Sequence, residues 1–317
     1  MGEFDLIARY FSRPVPEGYL GAGDDCALLP LRPGRQCVVS TDALIEGRHF
    51  LPEVDPLTLG HKSLAVNLSD LAAMGATPSG CLLALALPKV DERWLSQFSE
   101  GFYRLANEFD CPLIGGDTTG TDLGTMICVT VFGHVTPGTA LLRSAAQSGD
   151  DIWVTGSLGA AHIALKLLQG ALPQDDSLLA KTRPMLEQPR PPGLFAAQLP
   201  GLAHAALDIS DGFLQDLGHI IKASQCGAHI IFDHLPIDPA IRSLPKETIQ
   251  EAVLSGGDVY QLCFTAPPKH RDAIKTLAQQ FHTAVSRVGS ITGGGGLLVE
   301  TLDGRRLTCA NMGYQHF

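Results

Sequence analysis

Basic residues are scarce in this chain. It carries 23 Lys plus Arg against 33 Asp plus Glu in 317 residues, a formal net charge of −10. A surface that grips a nucleic-acid backbone needs clustered cations, so nucleic acid is excluded as the main partner. Glutamate is scarce too, with 11 Glu against 22 Asp. Solvated helix faces favour Glu, whereas Asp belongs to caps, turns and oxygen-rich cation sites. No apolar run is long enough to span a bilayer; the longest useful one, Cys81–Leu87, is far too short. The eight cysteines, at 26, 37, 81, 111, 128, 226, 263 and 309, include no C-x-x-C pair and lie mostly in apolar runs, as reduced core thiols do. The segment Met1-Gly2-Glu3-Phe4-Asp5 lacks the charged-then-apolar order of a signal peptide, so a cytoplasmic location is expected.

The familiar nucleotide signatures are missing as well. There is no G-x-x-x-x-G-K-[ST] and no H-R-D or D-F-G set, which excludes the P-loop and protein-kinase schemes. Gly21 and Gly23 begin a G-x-G, but Cys26 stands where the third glycine is needed, and Gly156 with Gly159 lacks the first. Hydride transfer is unsupported. No His or Cys pair has zinc spacing.

What is present is an alternation of short elements punctuated by 34 Gly and 21 Pro. Strands are predicted over 36–41, 81–87, 112–115 and 125–135. Between them, Leu57, Leu64, Leu68 and Leu71 share one helical face, and a second helix follows the cap Asp91 with Trp94, Phe98, Phe102, Leu105 and Phe109. The length suits two domains or one large α/β domain. A polar break at Ala145–Gly149 favours two, over 1–148 and 149–317. The second repeats the grammar: strands at 151–155, 205–209, 228–232 and 259–265, helices at 160–168, 213–223 and 269–281, and a hairpin turn at Asp303-Gly304 between 297–302 and 305–308. Alternation of this kind indicates a layered α/β (α+β) fold. The Gly293–Gly296 run reads as a flexible loop, since no helix or Lys follows it.

Six segments run from an apolar stretch through small residues onto Asp. They are Gly23-Asp24-Asp25, Ser40-Thr41-Asp42, Leu68-Ser69-Asp70, Gly115-Gly116-Asp117, Asp208-Ile209-Ser210-Asp211 and Gly256-Gly257-Asp258. For any one of them a turn or an N-cap is the better account. For the set, the repeated Gly or Ser neighbour adds something caps do not explain, because hard divalent cations want several oxygens held rigidly and glycines let a phosphate approach. Asp70 stands inside a helical pattern, where a cap role fails; a solvated helix face and a cation ligand remain as its two readings. A carboxylate and hydroxyl set favours Mg²⁺, Mn²⁺ or Ca²⁺, and bridging Mg²⁺ lets an acidic protein bind a phosphate-rich molecule. Arg143 suits a phosphate clamp or, more commonly, a solvated surface. His49, in Glu46-Gly47-Arg48-His49-Phe50, is a ligand contact or a structural histidine.

In this order the segments resemble the thiamine-monophosphate kinase family, within the superfamily of aminoimidazole ribonucleotide synthetase. The stretches that carry the resemblance are Gly23-Asp24-Asp25-Cys26-Ala27, Ser40-Thr41-Asp42 with Glu46-Gly47-Arg48-His49-Phe50, Asn67 to Ala76, Gly115-Gly116-Asp117-Thr118, Arg143-Ser144 and Asp208-Ile209-Ser210-Asp211-Gly212. The resemblance implies a two-domain α/β fold pairing as a homodimer through its N-terminal domains. It also implies ATP and several Mg²⁺, with transfer of the γ-phosphoryl group to the phosphate of thiamine monophosphate. By position it implies Asp25, Ser40, Thr41, Asp42, Asp70, Asp117, Asp208 and Asp211 as metal ligands; Gly116, Asp117, Arg143 and Ser210 as nucleotide contacts; and His49 as a substrate contact. Because the attacking phosphate oxygen is already anionic, no general base is required.

Two departures fall at the thiamine end. The family usually reads Ser-Gly-Gly-Glu-Asp-Tyr-Glu where this chain has Ser255-Gly256-Gly257-Asp258-Val259-Tyr260-Gln261, and it places Trp where this chain has Asn311. Asp258 and Asn311 are thus the substrate-end residues in which this chain differs. Two other readings stay open: an enzyme of the same superfamily with another phosphate acceptor, and a non-catalytic nucleotide or metal sensor.

Overall fold

The computed structural model describes residues 3–21, 26–308 and 312–314. Asp25 and Asn311 lie outside the described residues. The chain divides into two compact units, Met1–Leu71 with Ala76–Gly138, and Ala72–Gly75 with Thr139–Phe317.

The first unit holds α1 (Glu3–Leu6), β1 (Gln36–Ile45), α2 (Pro56–Ala73), β2 (Thr77–Leu87), α3 (Glu92–Glu108), β3 (Leu113–Gly120) and β4 (Met126–Val135). Its sheet runs β1-β4-β2-β3, with β2 and β3 parallel and β4 antiparallel to both its neighbours. α3 is therefore the crossover of a parallel pair. Asp91 caps it as expected, accepting from the backbone N–H of Arg93 and Trp94. α2 is buried nearly all round, because α3 packs directly against it at two glycines. A Cβ on Gly60 would stand 2.0 Å from Phe98 O, and one on Gly101 would stand 1.8 Å from Leu57 O. Leu83, Leu85, Ile127, Val129 and Val131 line the covered face of the sheet. The other face is open: Val39, Ile45 and Met126 are 56%, 44% and 41% exposed.

The second unit holds β5 (Asp151–Thr155), α4 (Ala160–Leu168), α5 (Asp176–Glu187), α6 (Gly193–Ala196), β6 (Ala205–Ile209), α7 (Phe213–Ser224), β7 (Gly227–Ile231), α8 (Lys246–Ser255), β8 (Gln261–Ala266), α9 (Arg271–Gln280), β9 (Val285–Thr292) and β10 (Gly296–Glu300). These strands form a mixed sheet in the order β10-β7-β9-β5-β8-β6. Both faces are covered, so β5 and β6 are buried at every position. Ile152, Val154, Leu207 and Ile209 pack with Phe213, Leu217 and Val253 on one side; Trp153, Ala206 and Phe264 pack with Phe195 and Ile274 on the other.

Several elements differ from expectation. β8 starts at Gln261 rather than 259, because Asp258 and Tyr260 take φ of 59° and 52°, outside the strand region. The return arm after Asp303-Gly304 forms one isolated bridge, Glu300 to Arg306, instead of a strand. α5, α8 and β9 were not anticipated; α5 even carries Pro184 in its interior. Of the thiols, Cys81, Cys111, Cys226 and Cys263 are buried, Cys128 is half-buried, and Cys26 and Cys37 are exposed rather than core residues.

Candidate active site

In the first unit the acidic residues meet where β1 crosses α2. Asp70 lies within α2, and its Oδ2 accepts a hydrogen bond of 2.5 Å from Ser40 Oγ on β1. Two residues along β1, the Asp42 backbone N–H donates to Asn67 Oδ1, one turn before Asp70 on the same helix. Burial pushes the Asp42 carboxyl above its ordinary value, and a hydrogen bond to the Asp70 carboxyl pulls it partly back. Ser40, Asp42, Asn67 and Asp70 thus form one oxygen-rich cluster on the helix-covered face.

Strand alternation separates two other candidates from it. Thr41 points the opposite way, with its hydroxyl on Val129 O at 3.1 Å and Thr130 Oγ1 at 2.9 Å. Asp117 is exposed and pairs across the ladder with Ala84, which in turn pairs with Cys128 and not with the buried Val129 that faces Asp42. The preceding Gly116 sits where nothing larger fits, since its Cβ would lie 1.8 Å from Leu83 O. The β2–β3 register shifts between Cys81 and Leu82 beside it, a bulge that turns the Gly115-Gly116-Asp117 backbone.

His49 closes a turn after β1. Ile45 N–H donates to His49 Nδ1 at 3.0 Å, so Nδ1 is the acceptor and, in the neutral ring, Nε2 carries the hydrogen. The ring is half-buried. Arg143, in the second unit, is exposed in a single 3₁₀ turn whose carbonyl is held by Ser224 Oγ.

The second unit builds its cluster on the loop joining β6 to α7. Asp208 is buried at the end of β6, and Ser210, Asp211 and Gly212 follow. A residue the sequence reading missed organises them: Asp216, in the first turn of α7, accepts at Oδ2 the backbone N–H groups of Ser210, Asp211 and Gly212, at 3.0, 3.1 and 3.0 Å. Burial drives its carboxyl up to about 6, with the three amides opposing that rise. Next to it, Gln215 Nε2 donates to Asp211 Oδ2 and to Tyr314 O, tying the acid to the C-terminal segment. Gly313 is required there, as its Cβ would lie 2.8 Å from Asp211 O.

The Gly256-Gly257-Asp258 loop packs on the same segment. Asp258 N–H donates to Ser210 O and Tyr260 N–H to Ile209 O, and a Cβ on Gly257 would meet Ser210 O at 2.6 Å. Tyr260 OH donates to Asp258 Oδ1 at 3.2 Å. Gln261, by contrast, is fully occupied: its Oε1 accepts from Thr155 Oγ1 at 2.8 Å and its Nε2 donates to Arg190 O at 2.9 Å. A glutamate there would set a second acceptor against the Arg190 carbonyl, so this residue serves the scaffold.

Comparison with known proteins matches residues 23–135 to the AIR synthase related protein N-terminal domain and residues 147–300 to the corresponding C-terminal domain. A thiamine-monophosphate kinase of Escherichia coli (strain K12) is 44% identical over 324 residues, covering 100% of this chain and 98% of the relative. A crystal structure of thiamine-monophosphate kinase from Stenotrophomonas maltophilia K279a superposes with a TM-score of 0.85 at 44% identity, covering 96% of each chain. A structure described as AaThiL complexed with AMPPCP and TMP superposes with a TM-score of 0.79 at 26% identity, covering 92% of this chain and 90% of that one. With the whole chain aligned at such identity, and with both of its units matched by their own domain models, this protein belongs to the thiamine-monophosphate kinase family of AIR synthase related proteins.

Proposed function

We propose that the protein catalyses ATP-dependent phosphorylation of thiamine monophosphate to thiamine diphosphate. The observation that carries this reading is the delivery of helix-borne Asp70 onto strand-borne Ser40, beside Asp42, in a family whose relative is described in complex with an ATP analogue and TMP. The N-terminal unit supplies Mg²⁺ binding through Ser40, Asp42 and Asp70 on its helix-covered face, and Gly116 with Asp117, the latter on the opposite face, as separate nucleotide contacts; the C-terminal unit supplies Asp208, Ser210 and Asp211 toward nucleotide and metal, and Asp258 toward the substrate. The acceptor phosphate is its own nucleophile, so these residues position and neutralise charge rather than move protons. Exposed Arg143 is the clamp for a transferring or leaving phosphate.

The donor chemistry fits Mg²⁺. Among the described residues no group of three or more His, Cys, Asp or Glu is gathered as a cation cage. The cluster instead combines the Ser40 hydroxyl with two carboxyls close enough to share a hydrogen bond, an arrangement a divalent cation satisfies better than a proton. Bound Mg²⁺ would screen the phosphate charge; in the first unit Asp42 and Asp70 are the residues that would hold it, and in the second unit, taken by itself, Asp208 and Asp211.

The test is release of ADP from ATP and Mg²⁺ with and without thiamine monophosphate. Stimulation with formation of thiamine diphosphate is expected; ADP release indifferent to the acceptor would overturn the assignment, and a screen of other phosphate acceptors would then identify the substrate. His49→Ala is expected to raise the KM for thiamine monophosphate while leaving kcat within a few-fold. Collapse of kcat with KM unchanged would contradict the substrate-contact role.

A homodimer through the open face of the β1-β4-β2-β3 sheet is part of the same reading. No described helix is long and apolar enough to cross a membrane, and the exposed Val39, Ile45 and Met126 sit on a sheet face that the unit's own helices leave uncovered. Val39→Lys is expected to convert a dimer to a monomer in sedimentation velocity; an unchanged dimer would place the interface elsewhere. The cytoplasm is the compartment proposed for this metabolic activity.

A further inference from the structure

The three backbone N–H groups of Ser210, Asp211 and Gly212 point to one spot at the head of α7, the kind of amide cradle that elsewhere receives a phosphate. Here the spot is taken. Asp216 Oδ2 accepts all three within 3.1 Å, and the residue is 4% exposed. No phosphate can use these amides while Asp216 stands there. What they hold instead is the shape of the loop that carries Ser210 and Asp211, immediately after Asp208.

We infer that Asp216 is a positioning residue: an internal anion that occupies the amide cradle and thereby fixes Ser210 and Asp211 beside the strand-held Asp208 as an oxygen-donor edge, so that this unit engages polyphosphate through cations and side chains rather than through backbone amides. The inference rests on the kinase reading for the identity of the polyphosphate. Three further features of the same loop fit a demand for fixed geometry. Gly212 lies where a Cβ would meet Ser255 O at 2.7 Å, and Ser210 O accepts the Asp258 N–H. Gln215, next to Asp216, holds the Asp211 carboxylate from the other side at 3.0 Å. The loop is thus tied through its amides, its carbonyl and its side chain, and Asp216 supplies the amide ties.

The role requires an acceptor oxygen at one point, not a charge that touches substrate. Asp216→Asn keeps an oxygen able to face the amides; Asp216→Ala removes it. In the full-length protein, Asp216→Ala is expected to raise the Mg²⁺ concentration for half-maximal activity by on the order of 10-fold or more, the usual scale for loss of a residue supporting a metal ligand, with the KM for thiamine monophosphate unchanged. Asp216→Asn is expected to restore that requirement to within a few-fold of wild type. Two readouts do not depend on turnover. Amide hydrogen exchange over 208–214 should accelerate in Asp216→Ala and not in Asp216→Asn, and Mn²⁺ binding followed by electron paramagnetic resonance should weaken in the same order. If Asp216→Ala does not fold, Asp216→Ser replaces it, because one short hydroxyl cannot span three amides.

Unchanged exchange and Mn²⁺ binding in the Ala or Ser variant would overturn the inference. So would an Asn variant as impaired as Ala, since that would make the charge itself the working group. A drop in kcat alone, with the Mg²⁺ requirement unmoved, would reduce Asp216 to a folding role and also overturn it. If the wild-type protein did not phosphorylate thiamine monophosphate, the functional reading would fail, yet exchange and Mn²⁺ binding would still decide the positioning role.

Discussion

Asp42→Asn is expected to lower turnover by on the order of 10²-fold and, at the same time, to leave the melting temperature unchanged or higher. The two halves of this result have one cause. Asp42 and Asp70 bring two carboxyls together beside a partly buried strand, an arrangement whose remaining cost the proposed cation would offset. Burial raises the Asp42 carboxyl above its ordinary value. An acid raised in the fold binds its proton more tightly there, so its contribution to folding is most favourable at low pH and is lost as pH rises past its unfolded value. Above that window the ionised group works against the fold, and a neutral amide removes that penalty along with the proposed metal ligand. Asp70→Asn should behave alike, with a smaller thermal gain because Ser40 already donates to Asp70. A Mg²⁺ titration of initial rates, beside thermal unfolding, checks both halves. Full activity at limiting Mg²⁺ would sink the ligand role.

Gly116→Ala is expected to be among the most damaging single methyl groups in the first unit. Its Cβ would lie 1.8 Å from Leu83 O and 2.7 Å from Leu83 C, atoms of a backbone already paired on both sides. β3 would have to leave the β2 ladder locally or force it to bend. Overpacking of this sort costs about 3 kcal/mol, the upper part of the usual range. For a chain of this size that corresponds to a fall in Tm of roughly 4–5 °C. Gly120→Ala, in the same strand but with nothing within 4 Å of its Cβ, is the control and should melt near wild type. Equal melting of the two variants would contradict the steric account. Activity should fall with Gly116→Ala as well, because Asp117 is the next residue on the displaced strand.

Much of the site was legible because it depends on short-range rules. Asp70 falls inside a helical repeat and Asp42 follows a strand run, so the sequence places both acids on regular elements while leaving a solvated helix face open for Asp70. The same rules carried a sharper message about Thr41: a strand alternates with a period of two, so Thr41 must face away from Ser40 and Asp42, and its hydroxyl does bond on the opposite side. Asp117 against Asp42 is harder, since their relative facing depends on register across two intervening strands and a bulge. Asp216 was missed because, by pattern, it is merely an acid in the first turn of an amphipathic helix, where a dipole explanation suffices. The available signal was its spacing, four residues after Gly212, which places a carboxylate over the amides that precede the helix. Gln261 marks another boundary. Its role depends on Thr155 and Arg190, far away in sequence, and no local pattern announces those partners.

The contact of α2 with α3 sets one last relationship. Gly60 and Gly101 remove the side chains that would otherwise separate the two helices, so backbone meets backbone and the thickness of that layer leaves no room for adjustment. Asp70 stands ten residues beyond Gly60 on the same rigid rod, about 15 Å along its axis. The height of a carboxylate above β1 is therefore gauged by two missing methyl groups at the contact between the two helices. Selection on the chemistry of the acidic cluster would reach through that rod to positions that touch neither nucleotide nor metal.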